Sequence, residues 1–195
     1  MRIAVFGAGG RTGRHVVRIA LERGHDVVGF VREPSETPPG IDAVAGDARD
    51  AATVERAVGG ADAVISVLAL MSADAEPEYS EATSTIVAVA ASAGVRRIVI
   101  TANNDVLTDR EVTGEFAAHA REHRRNRSTV ASSDLGWTIL AAPWVTDDEP
   151  RGAYDAVLDE RGPGKRTAPG DFALACVDAL ERDEWIGHIV GITST

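Results

Sequence analysis

Short apolar runs recur along the chain, separated by segments whose apolar positions return every three or four residues. The runs fall at 3–6, 27–31, 43–45, 63–67, 97–101 and 138–141. Each is predicted to be a strand. The intervening segments 14–22, 51–58, 79–93 and about 112–132 are predicted to be helices. The strands are apolar at consecutive positions rather than alternate ones, as expected when helices cover both faces of a parallel sheet. Strand and helix in alternation predict a doubly wound α/β fold of Rossmann type, with three α/β/α layers. Right-handed crossovers make 3-2-1-4-5-6 its expected strand order.

After residue 141 the pattern loosens. "TDDEPRG" and "DERGPGKRTAPGD" are rich in Pro, Gly and charge and read as loops. Between them 153–158 is predicted to be a short strand, with Tyr154, Ala156 and Leu158 on one face. Asp171 is expected to cap a last helix over 172–181, and "HIVGI" to form a final edge strand. The expectation is one domain over 1–195, with 142–170 as a loop-rich segment on the substrate side.

Composition narrows the classes. Hydrophobic residues make up 44% of the 195, enough for a packed core. Thirty acidic against twenty basic residues leave a formal charge of −10, which argues against a nucleic-acid partner. Arg121, Arg124, Arg125 and Arg127 are a local exception. The single cysteine, Cys176, has no internal disulfide partner and lies in an apolar run, so it reads as a small buried hydrophobe. A cytoplasmic location is the expectation. No leader-like segment is visible, and no apolar stretch reaches the roughly 18 residues that span a bilayer.

The strongest local signal is "VFGAGGRTGRHVV", residues 5–17, at the handover from the first strand to the first helix. Gly7, Gly10 and Gly13 form G-x-x-G-x-x-G; Gly7 and Gly9 also begin a G-x-G-x-x-G pattern, whose last place is taken by Thr12. Gly7 allows a sharp turn, Gly10 leaves room for a pyrophosphate, and Gly13 lets the helix lie close to the sheet. The turn's amides and the positive end of the helix dipole then face an anion, with the Thr12 hydroxyl as a further donor.

The second strand ends "GFVRE". A carboxylate there binds the ribose hydroxyls of NAD, whereas a guanidinium suits the 2′-phosphate of NADP. Arg32 therefore points to NADP(H), with Arg11 in reach of the same phosphate. Glu33 alongside keeps NAD(H) open.

These residues together resemble the atypical short-chain dehydrogenases/reductases. The likeness is to the NAD(P)H-binding group that includes biliverdin-IXβ (flavin) reductase and NmrA-like proteins. It runs through "IAVFGAGGRTG", "GFVRE", "VAGDARD", "GADAVISVLA", "RRIVITA", "LGWTILAAPWV" and "LDERGPGKRTAPGDFALACVDAL", almost the whole chain. The resemblance implies that Gly7, Gly10, Arg11, Thr12 and Gly13 hold the pyrophosphate and Arg32 the 2′-phosphate. It implies Asp47 and Ala48 at the adenine, and Val67, Leu68 and Ala69 along the ribose and nicotinamide. It also implies Thr101, Ala102 and Asn103 beside the reacting ring, and Pro143, Trp144 and Val145 over the nicotinamide.

The catalytic group is less evident. Most short-chain dehydrogenases use a Tyr with a Lys four residues later. Here Tyr79 and Tyr154 are followed by Thr83 and Leu158, and the only lysine is Lys165. Biliverdin-reductase relatives also lack the pair, but commonly place a Ser where Asn103 stands. Asn103 is the weak candidate, able to donate a hydrogen bond but not readily a proton. Trp144 is either packed in the core or a flat wall for a planar acceptor. "HAREH", 119–123, fits the zinc motif H-x-x-E-H, but lies in a helix beside "RRNR", which repels a cation. A helix face, solvated or forming a lid, is the expected reading.

Two functions follow as expectations. One is an NADPH-dependent reductase passing hydride to a planar acceptor such as a flavin, quinone or tetrapyrrole. The other is a non-catalytic NADP(H) sensor of NmrA type with a protein partner. A nucleotide-sugar epimerase would want the Tyr–Lys pair and a larger substrate region.

Overall fold

The structure is a computed structural model and describes residues 1–69, 76–108 and 111–195, the Glu115 side chain aside. Among these residues eight strands form one sheet: β1 (Arg2–Phe6), β2 (Asp26–Val31), β3 (Asp42–Ala45), β4 (Ala63–Ser66), β5 (Arg97–Asn103), β6 (Gly136–Ala142), β7 (Tyr154–Leu158) and β8 (His188–Ser194). Their order is β3-β2-β1-β4-β5-β6-β8-β7. The first six strands adopt the expected order, all parallel.

Among the described residues five helices flank the sheet: α1 (Arg11–Glu22), α2 (Ala51–Val58), α3 (Glu78–Ser92), α4 (Ala117–Ala131) and α5 (Pro169–Asp178). α1 and α5 cover one face, where Ile3, Val5, Val16, Val17, Phe172 and Cys176 pack together. α2, α3 and α4 cover the other, around Ala4, Phe6, Val54, Ile86, Ile98 and Val130. Alternate residues of β1 thus enter opposite cores, which is why its sequence does not alternate. Cys176 is buried in the first core, as its apolar run implied.

Three expectations change. The "HIVGI" run is not an edge strand: β8 lies inside the sheet, parallel to β6 and antiparallel to β7, and β7 is the edge. A short apolar run cannot reveal which neighbour it pairs with. Tyr154, Ala156 and Leu158 share a face of β7, but of the three only Tyr154 is partly covered, its hydroxyl bonded to Asp178. Asp171 is not a cap. α5 starts earlier, with Pro169 in its first turn. The buried Asp171 carboxylate instead accepts from the backbone N–H of Arg151 and Gly152 and from the Ser194 hydroxyl. Finally, α4 begins at Ala117, after a 3-10 turn at Gly114–Phe116, not near 112.

The amino ends of the central strands are clamped by a buried arginine. Arg97 donates to the carbonyls of Ile98, Gly136 and Ala179 and to the Thr138 hydroxyl, at 3.1, 2.6, 2.6 and 2.6 Å. Burial lowers its pKa to about 10, so it stays charged at neutral pH.

Candidate cofactor site

The glycine run folds as the turn from β1 into α1. Gly7 adopts φ +82°, a conformation side chains disfavour. Its N–H and that of Ala8 donate to the Phe30 carbonyl of β2, and the N–H of Gly10 returns to Gly7. A Cβ on Gly13 would sit 2.8 Å from the Gly7 carbonyl carbon and closer still to its oxygen. No larger residue lets α1 approach the turn this closely. Gly9 is excluded from change by another neighbour: a Cβ there would lie 2.6 Å from the Glu36 carbonyl oxygen. Arg14 fastens the same contact, donating to the Gly9 and Glu36 carbonyls at 2.8 and 3.3 Å. Arg14 was not singled out in the sequence, where nothing distinguishes it from other helix arginines.

The start of α1 is suited to an anion. No side chain caps it, and its first turn has no acidic residue, so the helix dipole is uncompensated there. Thr12 lies in that first turn, and a Cβ on Gly10 would meet only the Gly7 carbonyl oxygen, at 3.2 Å. The turn therefore fits a dinucleotide's pyrophosphate: open amides, no acidic neighbour and no side chain at Gly10.

The other implied residues lie along the carboxyl ends of the strands. Val67 follows β4 and donates to the Phe6 carbonyl at 3.0 Å, with Leu68 half-buried and Ala69 exposed beyond it. Thr101 and Ala102 are buried near the end of β5. Asp47 follows Gly46, with Ala48 packed on the second core. The Arg49 guanidinium and backbone N–H beside Asp47 hold its carboxyl below the usual range.

Arg32 and Arg11 do not converge. Arg32 follows β2 with its side chain 74% exposed, its nearest charge Glu36 at 3.9 Å. Arg11 instead pairs with Asp147 and donates to the Val145 carbonyl at 3.2 Å. It draws the loop after β6 onto the glycine turn. That loop is also held from behind: Thr167 donates to the Trp144 carbonyl and Thr146 to the Thr167 carbonyl. Pro143 and Val145 are half-buried, while Trp144 is 63% exposed. Trp144 is therefore not a core residue.

Asn103 ends β5, but its amide is engaged. It accepts from the Asp105 N–H and donates to the Asp105 carboxylate, both at 3.1 Å, and so caps a 3-10 turn over Asn104–Leu107. The "HAREH" segment lies in α4. Glu122 is fully buried and bonded to Ser80 and Arg125 rather than sharing a ligand set with the histidines. Among the described residues no group of three or more metal-binding side chains occurs. None of their helices is long and apolar enough to cross a membrane.

Tyr79 was missed as a site residue because the sequence question was only whether a lysine followed it. It lies in the first turn of α3, with its hydroxyl 3.3 Å from the Thr101 carbonyl.

Comparison with known proteins agrees with this geometry. The chain is 30% identical to an uncharacterised protein of Mycobacterium tuberculosis, over 92% of this chain but 23% of that protein's length. It superposes on a candidate NADH-flavin reductase of Streptococcus pneumoniae with a TM-score of 0.86 at 21% identity, covering both chains fully. It also superposes on a short-chain dehydrogenase/reductase of Veillonella parvula in complex with NADP, with a TM-score of 0.81 at 17% identity. That match covers 99% of this chain and 94% of the other. These two structures share the fold. The model of the NAD(P)H-binding family matches residues 7–183. The chain belongs to that NAD(P)H-binding family.

Proposed function

We propose that the chain is an NADPH-dependent reductase that passes hydride directly to a planar acceptor of the flavin, quinone or tetrapyrrole kind. The observation that carries this reading is Trp144. A tryptophan 63% exposed, on a loop bonded to the cofactor turn through Arg11, is a costly surface feature unless a flat apolar molecule covers it.

When bound, the reduced nicotinamide supplies the hydride. The chain's own task is then position: donor and acceptor held about 3–3.5 Å apart in a dry pocket. Gly7, Gly10, Thr12 and Gly13 anchor the pyrophosphate. Val67, Thr101 and Ala102 line the ribose and ring, and Trp144 stacks on the acceptor. Arg32 favours a 2′-phosphate because its guanidinium is exposed and only loosely engaged. The lone buried thiol of Cys176 fits a reducing compartment such as the cytoplasm.

One observation favours the second reading, an NADP(H) sensor with a protein partner. The Asn103 amide is committed to Asp105, so the residue that the sequence offered for catalysis is not free to serve an acceptor. Mixing the protein with NADPH and a panel of flavins, quinones and tetrapyrroles separates the two. Loss of the NADPH absorbance with at least one acceptor is the expected result. Tight NADPH binding with no consumption by any acceptor would sink the reductase and favour the sensor.

A further inference from the structure

Six buried side-chain polar atoms lack a hydrogen-bond partner among the described residues, and five cluster on two adjoining elements. They are His119 Nδ1, His123 Nδ1 and both amide atoms of Asn126, all on α4, and Asn104 Oδ1 on the turn that α4 packs against. His119, His123 and Asn126 recur at helical spacing and so share one stripe of α4. Asn126 is 1% exposed. Burying both ends of an amide with no hydrogen bond of good geometry is unfavourable, and proteins meet such groups with ordered water.

The stripe faces Tyr79. The Tyr79 ring stands edge-on to the His123 imidazole, centroids 5.3 Å apart. The Asn126 amide lies near enough to influence the Tyr79 hydroxyl, although burial dominates and raises that hydroxyl's pKa. The hydroxyl in turn reaches the Thr101 carbonyl, just behind the rim that borders the reacting ring. At the other end, His119 is only half-buried. Glu122 is not part of this row, since its carboxylate is turned to Ser80 and Arg125.

We propose that this row is a hydrated proton conduit, in which waters join the half-exposed His119, through His123 and Asn126, to the Tyr79 hydroxyl behind the end of β5. The inference rests on the reductase reading. Hydride arriving on a flavin or quinone leaves an anionic nitrogen or oxygen on the acceptor, and one proton must follow. The Tyr79 O–H, released from the Thr101 carbonyl, gives its proton through a water at the rim to that anionic atom, while Tyr79 regains one from the water beside His123. His123 takes a proton on one ring nitrogen and releases one from the other, and solvent resupplies the row at His119. One hydride and one solvent proton are consumed per acceptor, and no residue keeps a net charge. The groups facing His123 are Tyr79 from α3 and His119 and Glu122 from its own helix. Burial lowers the His123 pKa to about 4, which keeps the imidazole neutral at pH 7 and fit for such a relay.

The first test needs no turnover. In solution NMR of the isotope-labelled full chain, the Asn126 side-chain amide protons and the His123 ring protons should show direct cross-peaks to water. If both are dry, the conduit is excluded. The second test is kinetic, with any acceptor the wild type reduces. Tyr79→Phe and His123→Gln should each lower kcat about 10-fold or more, leave KM for NADPH within about twofold, and enlarge the solvent deuterium isotope effect on kcat. A merely structural role would not raise that isotope effect. Wild-type kcat and an unchanged isotope effect in both variants would overturn the proposal even if the chamber is wet. If the wild type reduces no acceptor, the reductase reading and the delivery role fall together, while the water contacts still show whether the chamber is hydrated.

Discussion

The two ends of the sheet treat their polar groups in opposite ways. At the amino ends of β5 and β6, both terminal nitrogens of the Arg97 guanidinium have acceptors, and Thr138 both receives from Arg97 and donates to the Trp185 carbonyl. At the carboxyl ends, groups are left open. The start of α1 is uncapped, Arg32 is loosely engaged, Trp144 stands in solvent and, among the described residues, the buried Asn126 amide has only the Tyr79 hydroxyl near it. Leaving polar groups open costs stability, so their concentration at one end marks the end built to receive something. The closed end holds the sheet together; the open end is completed by ligand and water.

The largest expected effect comes from breaking the open end at its foundation. Gly13→Ala drives a methyl into the Gly7 carbonyl. The expected result is a loss of about 3 kcal/mol or more in urea unfolding, with NADPH affinity weakened beyond about 100-fold. A variant that binds NADPH normally would show that the turn is not the anchor. Next comes the closed end. Arg97→Met leaves the Gly136 and Ala179 carbonyls and the Thr138 hydroxyl without their donor. It should cost about 3 kcal/mol in the same unfolding measurement. Its NADPH affinity, measured at a temperature where the variant is folded, should change less than about twofold. A large change would mean the two ends are coupled.

The buried histidine gives a pH signature. The folded-state pKa of His123 is lowered to about 4, below an unfolded value near 6.5. As pH falls, the unfolded chain takes up this proton first. The stability His123 contributes is therefore present above about pH 6.5 and lost as pH drops toward 4. Between pH 6.5 and 5 the loss is about 1.5 kcal/mol, read from unfolding curves. His25, whose pKa burial also lowers, adds a smaller slope of the same sign. His123→Leu should flatten the profile by its own share; an unchanged profile would mean His123 is not neutral and buried. The smallest effect is at Arg32. Arg32→Ala should weaken NADPH binding about 10-fold and leave NADH binding nearly unchanged. Equal weakening of both would remove the 2′-phosphate from its role.

Much of this molecule was legible in its sequence. The apolar runs gave six strands and their order because a doubly wound sheet imposes apolar residues on both faces and right-handed crossovers. The glycine turn was legible because its mechanism needs strand, turn and helix in immediate succession. The rest depends on placements far apart in the chain. β8 slips between β6 and β7, which its own three apolar residues cannot announce. Arg11 pairs with Asp147, 136 positions away, and so leaves Arg32 alone at the second strand. Asn103 looked available by type, yet a neighbour two residues on occupies its amide. Tyr79 gained its place only when α3 brought it under Thr101.

The central claim is that the turn at Gly7–Gly13 and the strand ends around it bind a dinucleotide. Isothermal titration calorimetry with NADPH and with NADH tests it most directly. The account predicts saturable one-to-one binding of NADPH, about 10-fold tighter than NADH. An absence of heat for both at millimolar concentrations would contradict it.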